Sequence, residues 1–474
     1  MNLEIAIIDL IIFIGYLITM LGVGFYFAKR NKSNDEYYVG GRSMSAGHIG
    51  LSVVATDVGG GFSIGLGGLG FLMGLSGSWM LFTGLLGAWI SAVLLIPKVY
   101  QVARDKKFLT FPQALAYYYN PKVALVAGII SLIGYAGFSS SQILAGAKLA
   151  SATFESLEVG TAVLIMGLIA VVYTVFGGMK AVIYTDTVQW IILMVGLIAI
   201  GLPIAYFKIG GIEMILKSVP EEFLRLDNLS VVDFVNWLIT ILPIWFVGMT
   251  LYQRIYASKD QKTAIKAWRI AGLFEWPIMA FMGIALGLFA RVAFDQGMFA
   301  ELGYPTADGL DPELGLPLLL RNILPIGLMG LMMSAYFSAI LSTADSCLMA
   351  ASGNFVTDIY GFFSKKEHGI RLSQWVTLMV GAVAILLATY MQNVLELMLY
   401  SYAFMVSGLL VPVLGFIFLS RPSPKAAMVA MIIGGGSTLG LILSGVALPF
   451  GLDENFFGIL LAAVSFIIIQ KSDR

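Results

Sequence analysis

Two short polar runs interrupt stretches of this chain that are otherwise apolar. The first is Ala55-Thr56-Asp57-Val58-Gly59-Gly60-Gly61, which sets three glycines and a carboxylate inside an apolar segment. Each glycine weakens a helix by about 1 kcal/mol relative to alanine. A carboxylate at the centre of a bilayer costs at least about 2.5 kcal/mol. The run is therefore expected to unwind over 55–61, freeing carbonyls for a cation and the amides of Gly59, Gly60 and Gly61 for an anionic group, which is tolerable only where the backbone lines a cavity. An amide-rich half-helix start would attract a carboxylate. The competing reading is close helix packing through glycine, and it is the expected one for Gly65, Gly67, Gly68 and Gly70.

The second run is Ser338 to Ser346, where Ala339, Ser342, Thr343 and Ser346 fall at i, i+3, i+4 and i+7 on one helical face. A hard monovalent cation needs several neutral oxygens, and a carbonyl with hydroxyls at this spacing supplies them. Asp345 lies about 60° from Ser342 on the wheel and borders that face. Hydroxyls in apolar helices often bond back to the i−4 carbonyl instead, but the density of polar atoms here favours an ion site. Other chemistry has little to work with. Cys347 is the single cysteine and His48 and His368 are the two histidines, so a disulfide framework, a zinc site and an imidazole cluster are all excluded as readings. Glu275, beside Trp276 and Pro277, reads as a lone carboxylate suited to a helix-to-helix hydrogen bond. No catalytic cluster appears, so an enzyme is not expected.

These runs must be held by apolar helices. The 474 residues are 59% hydrophobic and 12% charged, with a mean hydropathy of +0.89, far from the composition of soluble domains. Equal numbers of acidic and basic residues, 28 each, give no global field to draw nucleic acid. The chain reads as an all-α membrane protein held in a lipid bilayer. At about 20 apolar residues per span, thirteen transmembrane helices are expected at 5–28, 45–72, 75–102, 122–152, 158–177, 179–207, 232–256, 264–293, 323–360, 370–391, 394–420, 425–447 and 455–471. The first is too long for a signal-peptide core and is expected to stay as an anchor. With the N-terminus outside and the C-terminus cytoplasmic, most Lys and Arg, including Lys29, Arg30, Lys32, Lys106, Lys107, Arg254, Lys259, Lys365 and Lys366, gather on the inner side, as cytoplasmic loops require. Residues 45–207 and 232–420 then form two five-helix units of opposite orientation, an inverted repeat of the kind secondary transporters use. A leading helix (5–28) and two trailing helices (425–471) complete a single transporter domain, 1–474. Residues 108–119 read as a short interfacial helix, and 210–230 and 298–322 as outer loops with helical turns.

The chain also resembles the sodium:solute symporter family. The resemblance is carried by Tyr173-Thr174-Val175-Phe176-Gly177-Gly178-Met179-Lys180-Ala181 and the following residues to Gln189, by Gln253-Arg254 with Ala257 and Lys259, and by the pairing of Ala55–Val58 with Ala339–Thr343. It implies a leucine-transporter-like fold and import of a small organic solute by symport, with sodium as the coupling ion. Carried over by position, the sodium site would use the carbonyls of Ala55, Val58 and Ala339 and the hydroxyls of Ser342 and Thr343. In the sialic acid branch a second sodium site is implied at positions matched by Asp186, Ser342 and Ser346, with Asp345 standing where that branch has serine. Asp57 matches an aspartate of the sodium/proline branch, where sugar carriers are neutral.

Solute candidates follow from the same resemblance: Asp57, the amides of Gly59 to Gly61, Phe62, Ser63, Ser76, Ser78, Trp79, Ser139, Ser140, Gln142, Trp245, Met249, Tyr400 and Tyr402. Their apolar, aromatic and hydroxylic character favours an amino acid such as proline over a sugar. Trp245 and Met249 depart from the proline branch, and sugars, monocarboxylates and pantothenate stay open as alternatives. A membrane solute sensor or an ion channel is the alternative of another class. The carrier is expected to work as a monomer in the plasma membrane, specifically a bacterial inner membrane.

Overall fold

The computed structural model describes residues 7–28, 33–154, 157–305, 310–364 and 369–473. His368 and the basic residues Lys29, Arg30, Lys32, Lys365 and Lys366 lie outside them, and the side chains of Val58 and Phe62 are likewise outside the described set. The helices that build the site are α1 (Ile7–Ala28), α2 (Ala46–Met73), α3 (Trp79–Leu94), α4 (Pro121–Thr153), α5 (Val159–Met194), α6 (Val231–Val247), α7 (Met249–Ala257), α8 (Gln261–Leu273), α9 (Ala280–Asp295), α10 (Pro312–Ile323), α11 (Leu328–Gly353), α12 (Ile370–Tyr390), α13 (Val394–Phe418), α14 (Pro424–Ser444) and α15 (Glu454–Ser472). Several begin at a side chain that takes up an otherwise unpaired amide: Asn120 accepts from Val123, Ser230 from Asp233, Asp260 from Thr263 and Ser423 from Ala426.

The chain is a multi-pass membrane protein. Among the described residues nine helical stretches are long and apolar enough to cross a membrane, or ten if the bent pair α6–α7 is one span, and Ile7–Met20 and Val159–Val175 are shorter apolar segments. The thirteen separate spans expected from hydropathy are not confirmed among the described residues. Residues 158–177 and 179–207, expected as two helices, share continuous helical backbone through α5 and on through a π-helical turn at Val195–Gly201. Composition locates apolar lengths but carries no signal for where a helix bends rather than stops. The expected interfacial helix is present as Phe111–Tyr118. The segment 210–230 holds Gly211–Ser218 and a short turn at Glu221–Leu224, and 298–322 contains all but the last residue of the 12-residue helix α10 rather than turns alone.

Three breaks shape the interior. In α2 the helix is interrupted at one residue, Gly59 (φ 40°, ψ −160°), so the unwinding expected over 55–61 is confined to a kink. Only glycine takes that backbone conformation without strain. The chain also turns at Gly248 (φ −68°, ψ 112°), which bends α6 against α7 by 42°. Between α8 and α9, Trp276 is extended (φ −136°, ψ 125°) inside the π-helical segment Phe274–Met279. Helix α11 packs against α1, α2, α4 and α5, and almost every side chain along it is buried. Helices α2 and α9 approach backbone to backbone: a Cβ on Gly287 would strike the Gly67 carbonyl, and one on Gly70 that of Ile284. The close-packing reading therefore applies to the later glycines.

One further junction ties the bundle. Glu313 on α10 accepts from Lys148 Nζ of α4 at 2.6 Å and from the Val394 and Leu395 amides at the start of α13, both at 2.9 Å. Lys148 also contacts Asp311.

Candidate functional site

The kink at Gly59 presses α2 against α11. A side chain at Gly59 would meet Thr343, and one at Gly60 would meet Ile340. The closeness lets the Thr343 hydroxyl lie 2.8 Å from the Ala55 carbonyl oxygen and 3.2 Å from that of Ala339. Three of the five atoms expected around sodium are thus brought together. Ser342 is one residue away but its hydroxyl is turned to Asp186, donating to Oδ1 at 2.5 Å.

Asp186 is the centre of a second, fully buried cluster. Its Oδ2 accepts from Ser52 at 2.5 Å and lies 3.3 Å from Arg254 Nη2. The Arg254 guanidinium reaches Ser52 at 3.0 Å, the Thr250 carbonyl at 3.2 Å, Ser346 at 2.8 Å and Thr56 as well. The expectation that placed Arg254 among inner-loop charges is corrected: it is 0% exposed on α7. Its position also bears on the expected second sodium site, since a fixed cation from the chain already sits between Asp186 and Ser346. Asp345 does not join the cluster, its carboxyl oxygens making no hydrogen bond beyond its neighbour Ser346.

The third group lies between α2, α4, α13 and the α8–α9 break. Gln142 Oε1 accepts from the Gly60 amide at 3.0 Å and the Gly61 amide at 3.1 Å. These two amides, expected to be open to a carboxylate, therefore already have a partner. Tyr402 donates to Asp57 Oδ1 at 3.4 Å and packs edge-on to Phe138 at 5.0 Å. The Glu275 carboxyl faces that of Asp57. Asp57 is 4% exposed and Glu275 0%. Among the described residues no N–H or O–H donor meets Asp57 Oδ2 or either Glu275 oxygen. Glu275 is thus not the lone carboxylate of the sequence reading. Room for it comes from Gly84, where a side chain would collide with Oε2.

The other candidates divide. Ser63 bonds back to the Gly59 carbonyl at 2.5 Å, and Ser139 and Ser140 bond back within α4. Trp245 is buried edge-on to Trp268 with its indole N–H unpartnered. Ser76 and Trp79 are turned away from the centre, fastening the Arg225 and Leu226 carbonyls of the 211–230 segment, while Ser78 is buried without a partner. Met249 sulfur accepts the Phe111 amide at 3.1 Å, and Tyr400 donates to Glu396. Sequence reasoning missed Ser52, Thr56 and Tyr135. The Tyr135 hydroxyl accepts the Thr250 amide at 3.1 Å and so caps the half-helix that begins after Gly248.

A cleft of about 560 Å³ is lined by Gly65, Gly68, Leu69 and Tyr400 and by the carboxylates of Asp311, Glu313, Glu396, Asp453 and Glu454. Among the described residues its lining holds no Lys or Arg. Gly65 lies eight residues along α2 from Asp57, about 12 Å at the helical rise.

The sodium/proline symporter of Escherichia coli is 28% identical over 441 residues, covering 90% of this chain and 86% of its own. The osmoregulated proline transporter of Bacillus subtilis is 26% identical over 482 residues, covering 98% and 94%. A solved Na+-coupled sialic acid symporter superposes with a TM-score of 0.79 at 22% identity, covering 98% of this chain and 97% of that one. The sodium:solute symporter family model matches residues 37–434, and with most of its length so matched the chain belongs to that family.

Proposed function

We propose that this protein imports a small organic solute by sodium-coupled symport, through alternating access, and that the solute is an amino acid or a closely related amine, with proline the first to test. The observation that carries the sodium part is the convergence of the Ala55 and Ala339 carbonyls with the Thr343 hydroxyl at the Gly59 kink. Neutral oxygens at a helix break suit a monovalent cation, which exchanges its water shell for them. Ser342 completes the set by rotating its hydroxyl from Asp186 toward the ion. The two proline-transporting relatives and the carboxylate at Asp57 support an amine-bearing solute. The breaks at Gly59 and Gly248 support the five-plus-five inverted repeat as the moving framework. The N-terminus is placed outside, the C-terminus in the cytoplasm and the carrier, as a monomer, in a bacterial inner membrane. A single-sodium cycle is favoured, since Arg254 supplies the cation beside Asp186.

The test is uptake into proteoliposomes with and without an inward sodium gradient, using labelled amino acids, sugars and monocarboxylates. Replacing both Ser342 and Thr343 by alanine removes two ligands at about 1–3 kcal/mol each, so apparent sodium affinity should fall at least about tenfold. Sodium dependence unchanged in the double variant would overturn the assignment.

A further inference from the structure

The central site has an excess of negative groups for which the symporter reading alone gives no account. Asp57 and Glu275 face one another in the interior, far apart in sequence and carried by different helices. Both are buried, and three of their four oxygens meet no donor among the described residues. Two carboxyls brought together out of water are costly as a pair of anions, a cost met either by one shared proton or by a cation that joins them. The basic residues nearby are committed elsewhere: Arg254 to Asp186, and Lys148 to Asp311 and Glu313. The backbone amides at the kink are taken too, because Gln142 accepts from Gly60 and Gly61.

The surroundings have the same character. Trp276, next to Glu275 in sequence, has its ring 5.2 Å from Phe82 and 5.9 Å from Phe281, and Trp79 stacks on it at 6.2 Å. Aromatic faces beside carboxylates favour alkylammonium groups through the ring quadrupole. The cleft on α2, α10 and α13 is lined by five carboxylates and, among the described residues, no Lys or Arg. Such a funnel concentrates cations at its mouth and repels anions.

We propose that Asp57 and Glu275 form the recognition site for the ammonium group of the solute, and that among the amines named above the site prefers one of net positive charge to a zwitterion such as proline. This rests on the symporter reading for the coupling ion and adds the charge of the cargo. It also supplies a reason for coupling. The Ala55 carbonyl lies two residues before Asp57 and Thr343 packs on Gly59, so a sodium ion held there and an ammonium at the carboxyl pair would be close enough for each to offset the negative charge the other meets. Each cation binds better when the other is present, and the effect is reciprocal.

The experiment uses the full chain purified in lipid nanodiscs, with thermal stabilisation read in sodium and in potassium buffer. The probes are putrescine and choline, their uncharged counterparts 1,4-butanediol and 3,3-dimethylbutan-1-ol, and L-proline. In sodium, at least one cationic probe should stabilise the protein at a concentration about tenfold or more below that of its uncharged counterpart and of proline, the worth of one charge-assisted contact. Glu275→Gln and Asp57→Asn should each remove that preference while sodium still stabilises both variants; if one fails to fold, the other and the wild-type ranking decide. Cationic probes ranking no better than their uncharged counterparts would overturn the proposal. So would a preference that survives both substitutions, or a Glu275→Gln variant that changes only sodium cooperativity or proton uptake, since the pair would then hold an inorganic cation. Sodium-driven uptake of proline without any cation preference would refute this inference and leave the symporter standing. A cation preference indifferent to sodium would do the reverse.

Discussion

Replacing Arg254 by methionine keeps most of the side-chain volume and removes the guanidinium. In the native protein that group contacts Ser52, Thr56, Thr250, Ser346 and Asp186, all of them buried. The change leaves Asp186 with two hydroxyl donors, Ser52 and Ser342, each at 2.5 Å, and no opposite charge. Stranding one partner of a buried ion pair costs about 3–5 kcal/mol. Two strong hydroxyl bonds to the carboxylate keep the loss toward the lower end of that range. In sodium-free buffer the apparent melting temperature of Arg254→Met in nanodiscs should fall by about 3 °C. Adding Asp186→Asn to the same chain should recover most of it, because the two changes share one interaction and cannot be additive. Sodium should restore more stability to the single variant than to wild type, since the carboxylate and the hydroxyls of Ser342 and Ser346 then face no fixed cation. Wild-type stability in Arg254→Met, or no recovery in the double variant, would refute the reasoning.

Gly59→Ala forces a Cβ toward Thr343 at a positive φ; the strain is about 1–3 kcal/mol, and apparent sodium affinity in uptake assays should fall more than solute affinity does. At the cleft rim, outside the spans, desolvation together with Glu454 and Asp233 raises the Asp453 carboxyl to about 6. A carboxyl raised in the folded state favours folding below its unfolded value near 4, and that contribution is lost as pH climbs through about 6. Asp453→Asn should therefore stabilise the protein at pH 7.5 and have little effect at pH 4.5, as unfolding at the two pH values would report; an equal effect at both would exclude titration of this group as the cause.

Part of the site was legible because polar atoms in an apolar background announce themselves. Asp57 was marked by the cost of placing a carboxylate there, helical spacing put Ala339 and Thr343 on one face, and Asp186 was found only through the family resemblance. The misplaced residues share a different cause. Arg254 was counted among the inner-side charges because it falls at the inner end of the expected span 232–256, and position along a span does not tell a buried arginine from one at the membrane surface. Glu275 seemed solitary because its partner, Asp57, lies on another helix far away in sequence, and period and composition report nothing about such contacts. Gln142 was legible as a polar side chain, yet nothing in the sequence says that its oxygen is spent on the Gly60 and Gly61 amides. Ser76 and Trp79 were drawn to the centre by their helix, whereas their bonds run to a connecting segment. The bends at Gly59, Gly248 and Trp276 fall inside stretches expected as single spans, and only the Gly59 run carried a sequence signal for its break, because a kinked helix and a straight one have the same composition.

The junction at Glu313 limits how the cleft can widen. One carboxylate holds the side chain of Lys148 on α4 and the first two amides of α13, so three segments meet at a single point as the legs of a tripod meet at its head. Separating α4 from α13 on this side means either that Glu313 lets go of one leg, exposing a buried charge or two unpaired amides to the incoming water, or that α10 swings with the leg it keeps. In the second case α10 travels as a flap whose pivot lies at its own N-terminal turn, where Asp311 caps the Glu313 amide. The hinge of the entrance is then set by hydrogen-bond count at one side chain, and exchanging Glu313 for glutamine would change which leg detaches first without changing the shape of any helix.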